Sequence, residues 1–228
     1  MMTMASTKKE DQVVLSYHDS LLRLSDVNLL KGTHWLNDAI IGFYYEYLTE
    51  EYKKYGNTQL LFMNPPLTQL LRMENPINCC VFLDSVNAKN YNFVFFPLNN
   101  CDSLGSPGGT HWSLLVYSRI DQMCYHYDSS SSYINTFIAS EFTSNVIKYF
   151  LGKPKKSYNE IISPPQNNGH DCGLHVLCLT DVISRHILRT SKVTDCDFGA
   201  IPEMVRHKRT QLLNLIETLK NTKPIDNE

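Results

Sequence analysis

Apolar residues recur along this chain with two periods, and each period marks a kind of element. From Trp35 to Tyr52 the apolar positions 36, 40, 41, 43, 44, 47 and 48 fall on one face of a helix. VVLSY (13–17) and FVFFPL (93–98) read as strands. The second is apolar enough to be buried, with Pro97 expected at its end or at a sheet edge. WSLLVYS (112–118) and MCYHYD (123–128), joined by a short polar link, predict a hairpin. A helix follows over about 133–151 with Gly152 as its C-cap, and then a strand at SYNEII (157–162), ended by Pro164 and Pro165. Pro65-Pro66 opens a short helix, because proline suits a first turn. Two more helices, about 172–189 and 201–220, close the chain.

The strands cluster mid-chain between helices, without a regular βαβ rhythm, which predicts an α+β fold. No repeat or low-complexity linker interrupts residues 12–220, read here as one domain between polar, flexible tails at 1–11 and 221–228.

Composition narrows the class. With 228 residues, 43% of them hydrophobic, the chain can build one sizeable core. A formal net charge of −2 gives no reason to expect nucleic acid as a partner. No apolar run approaches the roughly 18 residues of a membrane span. The start, MMTMASTKKEDQ, lacks the apolar stretch of a secretory signal. The seven cysteines are odd in number and contain no CxxC pair, a poor disulfide framework. The expected setting is a reducing intracellular compartment, cytoplasm or nucleus, with thiols available for chemistry.

One thiol stands out by position. In PPQNNGHDCGLHVLC (164–178), Cys172 lies where a polar, turn-forming run gives way to an apolar one. It can be a packed core cysteine, a metal ligand with His170 and His175, or a nucleophile. A helix starting at Cys172-Gly173 sets the thiol against unpaired N–H groups and the positive end of the dipole, which favours a thiolate. His170, Cys172 and His175 are suitable zinc ligands, but their spacing fits no common zinc pattern. Cys124 and Cys178, inside apolar runs, read as core.

A nucleophilic thiol needs a base. Among eight histidines, His111 in PGGTHWSLLVY is favoured because it comes with a carboxylate. A hairpin turning about Arg119-Ile120 places His111 directly opposite Asp128, within reach of a hydrogen bond that fixes the tautomer and stabilises the imidazolium. His126, His170 and His175 are the nearest rivals. The Cys172 backbone N–H supplies one donor for a developing oxyanion, and Gln166, upstream on the turn, brings a side-chain amide as the second.

These stretches resemble a known family. QNNGHDCG, GTHWSLLVY and YHYDS, in the chain order His–Asp–Gln–Cys, together with WLNDAIIGF, are similar to the cysteine proteases of ubiquitin-like modifiers, the sentrin-specific proteases. VVLSYHDSLLRLSDVNLL, WLNDAIIGF and GGTHWSLLVY most resemble the branch that acts on the Nedd modifier. The resemblance runs over roughly residues 12–220. It implies a papain-like α+β fold, with a central, mostly antiparallel sheet flanked by helices, and no cofactor or metal. It also implies cleavage after the C-terminal Gly-Gly of a modifier, processing its precursor or releasing it from conjugated proteins. A monomer is expected, with neither nucleic acid nor membrane as partner.

By the same resemblance His111 is the base, Asp128 its orienter, Gln166 an oxyanion donor and Cys172 the nucleophile. Trp35 and Trp112 wall the tunnel for the Gly-Gly tail, which selects glycine because a Cβ would clash with the indoles. Asp38 stands where the Nedd branch has an acidic residue near the modifier's basic tail. His175 takes a position that the family usually gives to an aromatic. The glycines around NNCDSLGSPGGTHW are expected to let that loop close over the tail. A desumoylating enzyme on the same fold, or an inactive homologue that only binds the modifier, are the alternatives.

Overall fold

The computed structural model describes residues 11–222 except 57, 104–107 and 154. The chain opens with a hairpin of β1 (Val13–Tyr17) and β2 (Ser20–Arg23), followed by the short α1 (Leu24–Asn28). Asp11, placed by sequence in a flexible tail, is pinned: its carboxylate accepts from the Ser25 N–H at 3.1 Å. The helix expected from Trp35 begins at Asp38, as α2 (Asp38–Lys54). Asn37 caps it by accepting the Ile40 N–H at 3.1 Å, so Trp35 and Leu36 are left in the loop before it.

Then come β3 (Leu60–Phe62), α3 (Pro65–Met73), α4 (Pro76–Ser85) and β4 (Phe93–Asn99). The hairpin β5 (Trp112–Ser118) and β6 (Met123–Tyr127) leads to α5 (Thr136–Leu151), β7 (Tyr158–Ile161), α6 (Cys172–Thr190) and α7 (Ile201–Thr222). Gly152 closes α5 with φ +69°, as the sequence predicts. The last helix runs through 221 and 222, into the stretch read as a tail; 223–228 and 1–10 lie outside the described residues.

Five strands form one sheet in the order β3-β4-β5-β6-β7. Only the two central pairings are antiparallel, whereas β3 with β4 and β6 with β7 run parallel. The sheet is therefore mixed rather than mostly antiparallel. A hairpin can only join antiparallel neighbours, and each outer pair is joined through helices, α3 and α4 on one side and α5 on the other.

Both faces of this sheet are covered, which is why FVFFPL is apolar at every position. Phe93 and Phe95 of β4, with Leu114 and Val116 of β5, belong to the core shared with α2, α6 and α7. Val94, Phe96 and Leu98, with Leu115 and Tyr117, belong to the core under α3, α4 and α5. Pro97 sits in an inner strand without harm. The N–H groups of β4 at odd positions point towards β3, as the Phe93 N–H bond to Gln59 O at 3.0 Å shows. Pairing with β3 stops at Phe95, so the donor that proline lacks falls beyond that strand's end.

Helix α6 is the central post: from Cys172 to Asp181 every residue is buried. It packs on β5, α2 and α7. Its tie to α7 is polar as well as apolar. The buried Lys208 ammonium donates to Asp181 at 2.6 Å and to the Tyr44 hydroxyl at 2.8 Å. Asp181 also accepts from Tyr44 at 2.8 Å, so the buried charges are paired and hydrogen-bonded.

Candidate active site

The β5–β6 hairpin brings His111 to Asp128, but in a different register from the one predicted. The pairs Leu114 with Tyr127 and Ser118 with Met123 centre the turn between Ile120 and Asp121. The link is the four residues 119–122, with Gln122 at φ +54°, and the Asp121 N–H bonds back to Ser118 Oγ at 3.2 Å. Continuing that register places Asp128 opposite Ser113, two residues from the expected partner. A shift of two keeps both side chains on the same face, so the contact survives as a diagonal one. His111 Nε2 donates to Asp128 Oδ1 at 2.5 Å.

Asp128 is nearly sealed from solvent, and burial alone would push its carboxyl up. The bond from His111 and the backbone N–H groups of Ser130 (2.8 Å) and Asn135 (3.1 Å) outweigh it and hold the group below the usual carboxylate range. Burial acts on His111 in the opposite sense, favouring neutral imidazole. Hydrogen bonds with Asp128 and with the Cys172 thiol prevail and hold its pKa at about 9. With Nε2 on the carboxylate, Nδ1 is the nitrogen left for the thiol.

Behind this pair lies a buried relay that the sequence reading missed. Asn135 Nδ2 reaches Ser113 Oγ at 3.0 Å, Ser113 Oγ meets His126 Nε2 at 2.9 Å, and His126 Nδ1 meets Glu160 at 2.8 Å. His126, a rival for the role of base, is thus engaged at both ring nitrogens. No spacing along the chain announces this relay, because its members come from β5, β6, β7 and the start of α5.

Cys172 is the first residue of α6, where first-turn N–H groups lack intrahelical acceptors. Gly173 next to it is required by packing: a Cβ there would lie 3.0 Å from the Leu36 Cβ. Leu36 in turn accepts the Trp112 indole N–H on its carbonyl at 3.0 Å. The Trp35 indole donates to the Gly169 carbonyl. Trp35, Asp38, His111, Trp112 and Cys172 all line one cleft of about 410 Å³. Gly108 and Gly109 line it too, Gly109 with φ +82° and with no room for a Cβ against Asn99. The expected loop closure falls partly on 104–107, outside the described residues.

Gln166 is placed nearby but does not line that cleft. Its Oε1 accepts from Ser129 Oγ at 2.7 Å, and Nε2 donates to Asn168 O at 2.6 Å, leaving one amide N–H. His175, one turn along α6, is buried, and its Nδ1 has no partner among the described residues. Burial lowers its pKa to about 4, Asp171 opposing and His111 reinforcing the effect. It stays neutral where His111 is charged. Among the described residues no group of three or more His, Cys, Asp or Glu side chains is arranged to hold a metal ion. Burial pushes the Cys124 and Cys178 thiols up to about 12, in keeping with core positions.

Residues 34–208 match the Ulp1 protease family, C-terminal catalytic domain. The chain is 36% identical to human sentrin-specific protease 8 over 212 residues, covering 92% of this chain and 98% of the relative. It is 29% identical to NEDD8-specific protease 1 of Arabidopsis thaliana, covering 95% of this chain and 97% of the relative. Among solved structures it resembles the C-terminal Ulp1 protease domain in complex with Smt3, the yeast ortholog of SUMO. The TM-score is 0.68 at 17% identity, over 92% of this chain and 89% of that one.

Proposed function

The chain belongs to the Ulp1 protease family, and from that membership we infer a cysteine protease of ubiquitin-like modifiers that acts as a deneddylase. The observation that carries the chemistry is the 2.5 Å His111–Asp128 pair beside Cys172, in a cleft walled by both tryptophans of the chain. A modifier tail ending in Gly-Gly enters between Trp35 and Trp112, with Asp38 at the entrance to meet its basic residues. The Cys172 thiolate attacks the terminal glycine carbonyl. The Cys172 N–H and the remaining amide N–H of Gln166 receive the oxyanion. His111 protonates the departing amine, which for a conjugate is a lysine ε-amine. Water, deprotonated by the same imidazole, then hydrolyses the thioester.

The continuous run of packed elements from Val13 to Thr222 supports a single protease domain. Cysteine usage supports a reducing, intracellular setting, and among the described residues no helix is long and apolar enough to cross a membrane. NEDD8, SUMO and ubiquitin carrying a C-terminal electrophile test the reading: NEDD8 should attach fastest, at Cys172. SUMO attaching fastest would make the enzyme desumoylating, and no attachment would leave a modifier-binding homologue.

The charge on His111 sets the expected pH dependence. The imidazolium is the form its carboxylate partner stabilises, and it persists until pH rises through about 9. Above that the proton for the leaving amine is gone. The alkaline limb of kcat/KM should therefore fall near pH 9, and Asp128→Asn should move it down towards the ordinary histidine value of about 6.5. A limb unmoved by that substitution would remove Asp128 from the assignment.

His175 supplies a contrast. Neutral, buried and facing no partner with Nδ1, it has no proton to exchange at working pH. His175→Phe should retain kcat within about threefold and unfold at an equal or higher temperature, since an unsatisfied buried polar atom is removed. A loss of about 1000-fold would return His175 to the list of bases.

A further inference from the structure

Arg209 of α7 makes a contact set that none of the roles above uses. Its side chain is only 15% exposed. Nη1 donates to the Leu29 carbonyl at 2.7 Å, and Nη2 donates to the His34 carbonyl at 2.6 Å and to Asp171 Oδ1 at 3.0 Å. His34 immediately precedes Trp35, and Asp171 immediately precedes Cys172. From Asp171 the connection continues. Oδ2 accepts from Asn168 Nδ2 at 2.8 Å, and Asn168 Oδ1 accepts the N–H groups of His170 and Asp171 at 3.0 Å each. The Asn168 carbonyl takes the Gln166 amide at 2.6 Å.

We propose that Arg209 is a positioning residue for the protease reaction. Through Asp171 and Asn168 it holds the Cys172 thiol and the Gln166 amide in fixed relation, and through the His34 carbonyl it holds the Trp35 wall. The proposal rests on Cys172 as nucleophile and Gln166 as oxyanion donor. Arg209 lies one residue past the span 34–208 that matches the family.

The physical case is that three acceptors, two from the loop between α1 and α2 and one from the turn before α6, converge on one rigid, planar fork. An ammonium at the same place is a point donor that cannot keep all three directions. Charge-assisted bonds of this kind are stronger than neutral ones. Burial opposes the Asp171 charge, yet the bonds from Asn168 and Arg209 hold its carboxyl below the usual range. Without the guanidinium, that loop keeps its chemistry but loses its anchor. A misplacement of about 1 Å in such a site costs up to about 100-fold in rate. Trp112 keeps its bond to the Leu36 carbonyl, outside that loop, so tail binding suffers less than turnover.

The test is steady-state cleavage of a NEDD8 C-terminal fusion by the full chain. Arg209→Met should lower kcat about 10- to 100-fold with KM within about threefold. Arg209→Lys should recover part of the loss, and millimolar methylguanidinium should raise the rate of Arg209→Ala. A merely structural role would show neither rescue. Asp171→Asn should show a loss similar to Arg209→Met, and the double substitution should be no worse than about threefold below either single one. Arg206→Met, on the exposed side of the same helix, should match the parent. If Arg209→Met folds poorly, Arg209→Lys and the rescue decide. Parent-like kcat for Arg209→Met, losses that multiply in the double variant, or failure of both rescues overturns the proposal. Cys172→Ala run alongside separates the two readings: turnover by that variant overturns the site itself, whereas a dead Cys172→Ala beside a parent-like Arg209→Met overturns only the positioning role.

Discussion

Cys172→Ala should abolish cleavage of NEDD8 fusions, by about 10⁴-fold or more, while leaving modifier binding within about threefold. The thiol is the only group in the cleft proposed to form a bond to the tail carbonyl; its loss removes covalent catalysis outright rather than weakening a contact. The residues proposed to meet the tail, Trp35, Trp112 and Asp38, should keep their places, because the two indoles are held on the carbonyls of Gly169 and Leu36 by bonds that do not involve the sulfur. Cys172 is 1% exposed, so alanine leaves a void of one sulfur atom and a modest stability cost. Single-turnover cleavage and equilibrium binding of intact NEDD8 make the two measurements. Cleavage persisting near the parent rate would show that another group is the nucleophile. Cys178→Ala, deeper in α6, should remain active.

His111→Ala should be nearly as damaging, roughly 10⁴-fold in kcat, since the one imidazole is proposed both to pair with the thiolate and to protonate the leaving amine. The variant should also change how Cys172 reacts with a small alkylating agent: the rate should fall, because the imidazole that bonds the sulfur is gone. That readout needs no modifier, so it separates loss of the base from loss of substrate binding. An unchanged alkylation profile would dissociate His111 from Cys172. Because Asp128 leaves the imidazole in place, Asp128→Asn should fall between the parent and His111→Ala.

Much of this site is legible along the chain because its parts are local. A thiol at a turn-to-helix junction is visible in NNGHDCG, and α6 does begin at Cys172. The sequence also points to the hairpin that joins His111 to Asp128, but not to its register. The turn between β5 and β6 carries no Asn-Gly signal, and both its strands are apolar on both faces. A slip by two residues therefore leaves the sequence pattern intact. The strand β3 and the helix α4 were not anticipated: the first has only three residues, and the second is apolar nearly all round, so neither shows a usable period.

The alternation of apolar residues, the prolines at the start of α3 and the glycine after α5 set the kinds of element and their order. They do so because backbone preferences and one-sided burial act over a few residues at a time. Which partners those elements find is decided elsewhere. Pairing of β3 and β7 as parallel edges, the Leu36 side chain that makes Gly173 necessary and the reach of Arg209 from α7 to His34 and Asp171 all join residues far apart in the chain. Such contacts depend on desolvation and on the geometry of donors and acceptors once the core has closed, and neither quantity exists until the tertiary structure brings the groups together.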